Sequence, residues 1–446
     1  MSGTYWIETL GCPKNQVDSD KLVGTLLADG MLQARSAGEA DLVVVNTCAF
    51  IEAAREESVN VVLGLADARK DGSRIVVTGC MAERYGDELA AALPEVDAVV
   101  GFGVPVSLGA KQIAVRQIAG VPIALGRKPP LEGKAAVAAE AERAIPSLDL
   151  LNLPRPPTSS PWAYVKIAEG CDRNCGFCAI PSFRGPQRSR TVASILDEVE
   201  ALGAKEIVLV AQDLASYGKD RPGELGAGSI VGLVDAVASR VARTRLLYLY
   251  PSDLSDALVD AILKTGVAYF DLSLQHVSKP LLRRMRRWGD GDRFLRRIEA
   301  IRAVEPAAAF RSNFIVGYPG ETEADQDQLL AFVEAAQLDW CGFFAYSAEE
   351  GTYAYGMDGV VDAHLAGERL AELTELQDSI TAKRRSNLIG EVIEVLVDSP
   401  GEGRSHREAP EIDGVVQLPE DLAVGSFQTV RVTAAEGPDL IAELVQ

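Results

Sequence analysis

Three thiols sit within eight residues of chain in the segment GCDRNCGFCAIP (170–181), as Cys171-x3-Cys175-x2-Cys178. Thiolates are the ligands of iron–sulfur clusters, and a short loop can wrap three of them around one 4Fe-4S cube. Three ligands for four irons leave one iron open, and an open coordination position lets a metal bind and polarise a small molecule. Gly170 and Gly176 allow the backbone to turn closely around such a body. A zinc site short of one ligand and a dithiol redox motif are the alternatives. The spacing, directly after an apolar strand, favours the cluster.

A second set has no local motif. Cys12 ends the apolar segment in ETLGCPKN, Cys48 ends VVVNTC and Cys80 ends IVVTGC. If these are parallel strands, their C-terminal ends share one rim of the sheet, where doubly wound folds build ligand sites. Gly11 and Gly79 precede two of the cysteines and suit tight turns. The alternative is three buried free thiols acting as small hydrophobes; their equivalent placement favours a second three-thiolate cluster. Cys341 opens a later apolar run without companions and reads as a core residue.

The elements that must hold these groups follow from the apolar pattern. Strands are expected at 4–10, 41–47, 74–80 and 98–101, with helices at 16–29, 52–69 and 82–92 between them. This alternation implies an N-terminal α/β domain with a parallel sheet, over 1–104. Residues 105–160, rich in Pro, Ala and charge, read as a linker. A second alternating series has strands at 163–170, 206–213, 246–251, 269–275, 310–317 and 341–347 and helices at 191–202, 230–241, 255–265, 290–303 and 323–336. Six βα units over 161–383 predict a central open (βα)6 TIM-like barrel with its chemistry at the strand C-termini. A helix at 362–386 leads into period-two segments that predict a small antiparallel β-barrel over 384–446.

Composition bounds the rest. With 446 residues, 47% hydrophobic and 24% charged, the chain can bury large cores. No apolar run is long enough to span a bilayer and no secretory pattern opens the chain, so a cytoplasmic location without membrane attachment is expected. A net charge of −20 argues against a general polyanion binder. From Leu388 onward twelve Asp and Glu face three Arg and no Lys, a tail that would repel tRNA and suit a basic protein. KPLLRRMRRWGDGDRFLRR (279–297) is the strongest basic run. It could hold a carboxylate or ribosomal RNA, or be a solvated helix face.

Both cysteine sets in this order, with the terminal β-domain, resemble the methylthiotransferase family of radical S-adenosylmethionine enzymes over nearly the whole chain. The resemblance implies an auxiliary 4Fe-4S cluster on Cys12, Cys48 and Cys80. It implies a radical cluster on the catalytic Cys171, Cys175 and Cys178 that binds S-adenosyl-L-methionine and generates a 5′-deoxyadenosyl radical. The tail would be a TRAM-like barrel. Pro-Lys after Cys12, together with LVAQDLASYG, YLYPS, DLSLQHVS and YSAEEGTYA, is similar to the branch that modifies an aspartate of ribosomal protein S-twelve, giving 3-methylthioaspartate. The other branch, tRNA adenosine methylthiotransferases, and a non-enzymatic two-cluster scaffold are the alternatives. An electron donor of flavodoxin or ferredoxin type is implied. The strand ends would bind the cofactor through Gln212 and Asp213, Ser273 and Gln275, and Arg311 with the turn GYPGE, which begins at Gly317. His276 reads as a polar wall residue, and His364 and His406 as surface residues.

Overall fold

An unbroken apolar run needs cover on both sides, and every residue of β3 (Leu42–Thr47) is buried. The computed structural model of the chain describes residues 3–106, 148–222 and 229–445. These divide into two units, Met1–Arg155 and Pro156–Gln446.

In the first unit β3 is the centre of a five-stranded parallel sheet. Its neighbours are β1 (Thr4–Thr9), β2 (Leu32–Gln33), β4 (Arg74–Gly79) and β5 (Ala98–Val99), in the order β2-β1-β3-β4-β5. Helices α1 (Pro13–Ala28), α2 (Glu52–Ala68) and α3 (Cys80–Ala92) make the crossovers. α1 starts three residues before the expected 16 because Pro13 fits the first helical turn, where its missing N–H leaves no bond unmade. Of the stretch read as a linker, 107–147 lies outside the described residues. Residues 148–155 fold back along α1: the buried Lys21 ammonium donates to the carbonyls of Leu151 and Leu153, both at 2.9 Å, and Arg155 pairs with Asp20 at 2.7 Å.

The second unit opens with β6 (Trp162–Lys166) and the short β7 (Ala168–Glu169), then α4 (Ile180–Arg184) and β8 (Arg188–Ser189). α5 (Val192–Leu202), β9 (Glu206–Val210), α6 (Ile230–Ala238), β10 (Arg243–Leu246) and α7 (Asp256–Leu263) follow. Next come β11 (Tyr269–Gln275), α8 (Lys279–Arg284), α9 (Gly291–Val304), β12 (Ala309–Val316), α10 (Glu323–Ala336) and β13 (Trp340–Ala345). Side-chain caps stop the helices fraying: Thr191, Ser229, Ser255 and Asp290 each accept from the first turn, and Thr322 with Asp325 forms a reciprocal capping box. The strands form two parallel triplets, β6-β9-β10 and β11-β12-β13. A bridge between Leu249 and Leu272 joins the triplets, so the barrel is open and six-stranded. The strand expected at 246–251 lies instead at 243–246. Tyr248 takes a left-handed φ of 66°, which pulls the chain out of the ladder. The insert at 223–228 is outside the described residues.

α11 (Ala363–Ser386) packs along the barrel and delivers the tail. There β14 (Val392–Ser399), β15 (Glu402–Arg404), β16 (Val416–Gln417), β17 (Phe427–Glu436) and β18 (Asp439–Leu444) close into a barrel. The expectation of an antiparallel barrel needs one correction: β16 and β18 pair in parallel, because a closed ring of five strands cannot alternate direction at every neighbour.

All six strands of the open barrel send a polar side chain from their N-terminal ends onto residues 404–413. Tyr164 donates to Pro410 O at 2.9 Å, Glu206 pairs with Arg404 at 3.1 Å, and Arg243 donates to Arg404 O at 2.9 Å. Tyr269 and Arg311 both reach Asp413 at 2.6 Å, and Trp340 donates to Arg407 O at 2.7 Å. His406 belongs to this floor and is not a surface residue: its ring meets Ala307 O at 2.9 Å. Burial alone would raise the Glu206 carboxyl, but Arg404 and Arg245 overcome it and hold it at about 2.

Candidate metal centres

Cys12, Cys48 and Cys80 come from the ends of three adjacent strands. Cys12 caps α1 after β1, Cys48 follows β3, and Cys80 is the first residue of α3 after β4. Two of the thiols therefore sit at helix N-termini, where the dipole favours thiolate. A Cβ on Gly11, whose φ is 97°, would stand 2.9 Å from the Cys48 sulfur. Asn15 ties the three strand ends together. Its amide donates to Leu10 O at 2.9 Å and Thr47 O at 3.1 Å, and its Oδ1 accepts from Cys80 Sγ at 3.5 Å. Asn46 supports it by donating to Asn15 O at 2.8 Å.

The other set is built on the rim opposite the floor. Gly170 turns the chain after β7 at a φ of 79°; a Cβ there would lie 2.6 Å from Gly185 O. The loop is clamped by Cys171 N–H on Gly185 O at 3.1 Å and Gly176 N–H on Met285 O at 2.8 Å. The Arg173 backbone N–H points at Cys171 Sγ at 3.5 Å, and the Arg287 guanidinium at Cys175 Sγ at 3.4 Å. Arg173 and Arg287 both lie on the Tyr250 ring, at 3.5 and 4.1 Å from its centroid. Burial pushes the Cys171 thiol up to about 11, with Asp213 and Cys175 adding to it, and the Cys178 thiol up to about 12, with Cys175 and Cys171 adding to it. A cationic body among them is what would hold all three as thiolates.

Among the described residues no three Cys, His, Asp or Glu converge tightly enough for a single metal ion. Two all-sulfur triplets, each bordered by N–H donors or glycine cradles, have the donor chemistry that iron–sulfur clusters take.

The cofactor-binding residues expected from the strand ends divide. Gln212 donates to Glu169 at 2.7 Å, at the root of the cysteine loop, and its Oε1 is buried without a partner among the described residues. Asp213 holds Arg173 of the loop at 2.6 Å. The Ser273 carbonyl accepts from Arg287, and Gln275, with a φ of 69°, ends the same strand. Gly317 donates to Glu321 at 2.7 Å and aims Tyr318, whose hydroxyl would lie 2.8 Å from a Cβ on Gly176. Arg311 is the exception. It is the third residue of β12 and its guanidinium is taken by Asp413 in the floor, at the wrong end of the strand for the cofactor. Cys341 is packed into the core and burial pushes its thiol up. His276 is buried on the α10 side, where Ser278 N–H donates to its Nδ1 at 3.0 Å. His364 is exposed.

Asn15 and Asn46 carried no sequence signature, and Arg173, Arg287 and Tyr250 lie in segments singled out for other reasons: the cysteine motif, the basic run and YLYPS. Only proximity to a cysteine (Asn15 three residues after Cys12, Asn46 two before Cys48) could have flagged the two amides.

Residues 4–101 match uncharacterized protein family UPF0004, residues 165–333 the radical SAM superfamily and residues 389–445 the TRAM domain. The chain is 41% identical to the ribosomal protein uS12 methylthiotransferase RimO of Kineococcus radiotolerans, over 98% of this chain and 96% of that one. It is 42% identical to the RimO of Saccharopolyspora erythraea, over 98% and 94%. Among solved structures, the radical S-adenosylmethionine methyltransferase TsrM from Kitasatospora setae aligns with a TM-score of 0.46 at 14% identity, covering 80% of this chain and 74% of that one. No helix among the described residues is long and apolar enough to cross a membrane.

Proposed function

The chain belongs to the RimO family of radical S-adenosylmethionine methylthiotransferases, and on that premise we propose that it converts an aspartate of ribosomal protein uS12 to 3-methylthioaspartate by replacing a β-carbon hydrogen with a methylthio group. The observation that carries this reading is the pair of three-thiol rims, one in each unit, each at the C-terminal ends of parallel strands. Cys171, Cys175 and Cys178 would hold the radical cluster, and Cys12, Cys48 and Cys80 an auxiliary one. Bound there, the clusters and S-adenosylmethionine supply the electron, the hydrogen-abstracting radical and the sulfur.

The protein's own residues supply position and charge. Arg287 and the Arg173 N–H place positive charge and a donor against thiolate sulfur, offsetting its negative charge where burial would otherwise disfavour it. The carboxylates of Asp213 and Asp253 hold Arg173 in that pose. Gln212, fixed through its amide nitrogen, presents a buried carbonyl oxygen suited to the ammonium of the bound methionine moiety. Abstraction of hydrogen by a radical needs no general base, and no step here requires one.

The tail supports the choice of a basic protein substrate. Glu391, Glu394, Glu402, Glu411, Glu420, Asp421, Glu436 and Glu443 are exposed, while Arg404 is buried in the floor and Arg407 is only partly exposed. The test is mass spectrometry of uS12 after incubation with the anaerobically reconstituted enzyme, S-adenosylmethionine, a sulfur source, and a flavodoxin or ferredoxin reductant. The expected product carries one methylthio group on one aspartate. Unmodified uS12 alongside methylthiolated adenosine in tRNA would assign the chain to the other branch.

A further inference from the structure

The acidic tail leaves one feature unexplained. In a chain with 64 Asp and Glu against 44 Lys and Arg, residues 279–297 hold eight Lys and Arg against two Asp. Some of these arginines are committed: Arg284 to Asp358, Arg287 to Cys175 and Arg297 to Asp256. Lys279, Arg283, Arg286 and Arg296 are all exposed, and among the described residues none of their side chains makes a hydrogen bond or ion pair. A surplus of twenty carboxylates makes four unpaired cations on one helix–elbow–helix segment conspicuous.

The elbow between α8 and α9 also carries aromatic surface. Trp288 is 44% exposed, and Tyr353, which packs on Gly176 of the cysteine loop, is 50% exposed. Arg286 lies on the Tyr353 ring at 3.5 Å from its centroid. This surface borders the radical-cluster loop: Met285 O accepts from Gly176 N–H, and Ala354 N–H donates to Gly176 O, both at 2.8 Å.

We propose that the α8–α9 elbow binds the phosphate backbone of RNA, so that the enzyme engages uS12 within an RNA-bearing particle. The inference rests on the ribosomal-protein reading above and deepens it. A basic ribosomal protein alone would be drawn to the acidic tail and repelled by this elbow. A particle in which such a protein is flanked by RNA presents both signs, and the chain has a surface for each. Free guanidinium and ammonium groups with interleaved aromatic faces are the chemistry that tracks a phosphate backbone without reading sequence.

The test uses the reconstituted full-length enzyme and a variant with Lys279→Gln, Arg283→Gln, Arg286→Gln and Arg296→Gln. Binding to small ribosomal subunits is measured at 50 and 200 mM salt. Four phosphate contacts predict a roughly 100-fold loss of affinity between those salts for the unmodified enzyme, and a nearly flat response for the variant. KM for methylthiolation of subunits should rise about tenfold in the variant, following the lost contacts, while KM for free uS12 and cleavage of S-adenosylmethionine stay unchanged. Equal binding and salt response for both enzymes would overturn the proposal. So would an equal rise of KM on free uS12, which would make the elbow a protein-docking face. If neither substrate is methylthiolated, the functional reading fails, and patch-dependent binding to subunits still decides the RNA contact by itself.

Discussion

Replacing Glu206 by Gln should loosen the floor of the open barrel by about 3 kcal/mol, a magnitude that two independent routes give. The carboxylate is fully buried between Arg245 at 2.8 Å and Arg404 at 3.1 Å. Removing one member of a buried ion cluster costs about 3–5 kcal/mol, because the remaining charge loses its compensation. Here the lower end applies: Arg404 keeps Asp398, and Arg245 keeps the carbonyls of Ser405 and His406. The second route is proton linkage. A carboxyl that falls from an ordinary 4.5 to about 2 on folding contributes about 3 kcal/mol at pH 7. Its folded value is depressed, so this stability is complete above about pH 4.5 and disappears as pH falls through 2, with more than half gone by about pH 3. Urea unfolding followed by the circular dichroism of the reconstituted protein is the assay. With a slope of about 3 kcal/mol per M, Glu206→Gln should lower the midpoint by about 1 M at pH 7. The gap between variant and parent should narrow to less than half by about pH 3. Glu206→Met combined with Arg245→Met should lose less than the single change, since an apolar pair leaves one fewer uncompensated charge. A midpoint shift under about 0.3 M, or a gap indifferent to pH, would refute the claim that Glu206 is held ionised by the two arginines.

Three further outcomes are expected. Cys175→Ala should abolish cleavage of S-adenosylmethionine, whereas Cys48→Ala should retain cleavage and lose methylthio transfer; 5′-deoxyadenosine and modified uS12 are measured in the same reaction. Arg287→Gln removes a charged contact to Cys175 Sγ. A charge-assisted hydrogen bond is worth about 1.5–3 kcal/mol, so the radical cluster should become harder to reduce by roughly 60–120 mV in an EPR-monitored redox titration, and an unchanged potential would count against the contact. Gly79→Ala forces a side chain into a φ of 93° and onto Thr47 N at 2.6 Å, at about 1–3 kcal/mol of backbone strain. Iron bound after reconstitution should fall by about half as the auxiliary rim is lost, with the cluster at Cys171, Cys175 and Cys178 kept.

The parts of this molecule that were legible in the sequence are those with local causes. β11 and the helix at 323–336 fall on the expected residues, because alternation and the Thr322–Asp325 cap act within a few positions. The strand-end placement of Cys12, Cys48 and Cys80 was legible because each follows an apolar run. β10 was misplaced because Arg243, Thr244 and Arg245 look like surface, and only their burial against the tail makes RTRL a core strand. Arg311 was assigned to the cofactor for the same reason. Its partner, Asp413, is about a hundred residues away, and no window on the sequence relates the two. Asn15 and Asn46 do their work through backbone atoms of other elements, which leaves no pattern to read.

The wedge formed by residues 404–413 makes the terminal barrel a keyed part and not a detachable module. Arg385 of α11 locks onto Glu408, and six strands hold the adjoining residues from above. A terminal barrel grafted from a relative would have to bring a wedge cut to Tyr164, Glu206, Arg243, Tyr269, Arg311 and Trp340, or it would leave buried charges unmatched. Re-targeting such an enzyme by exchanging its tail alone should therefore fail at folding before it is ever tried on a new substrate.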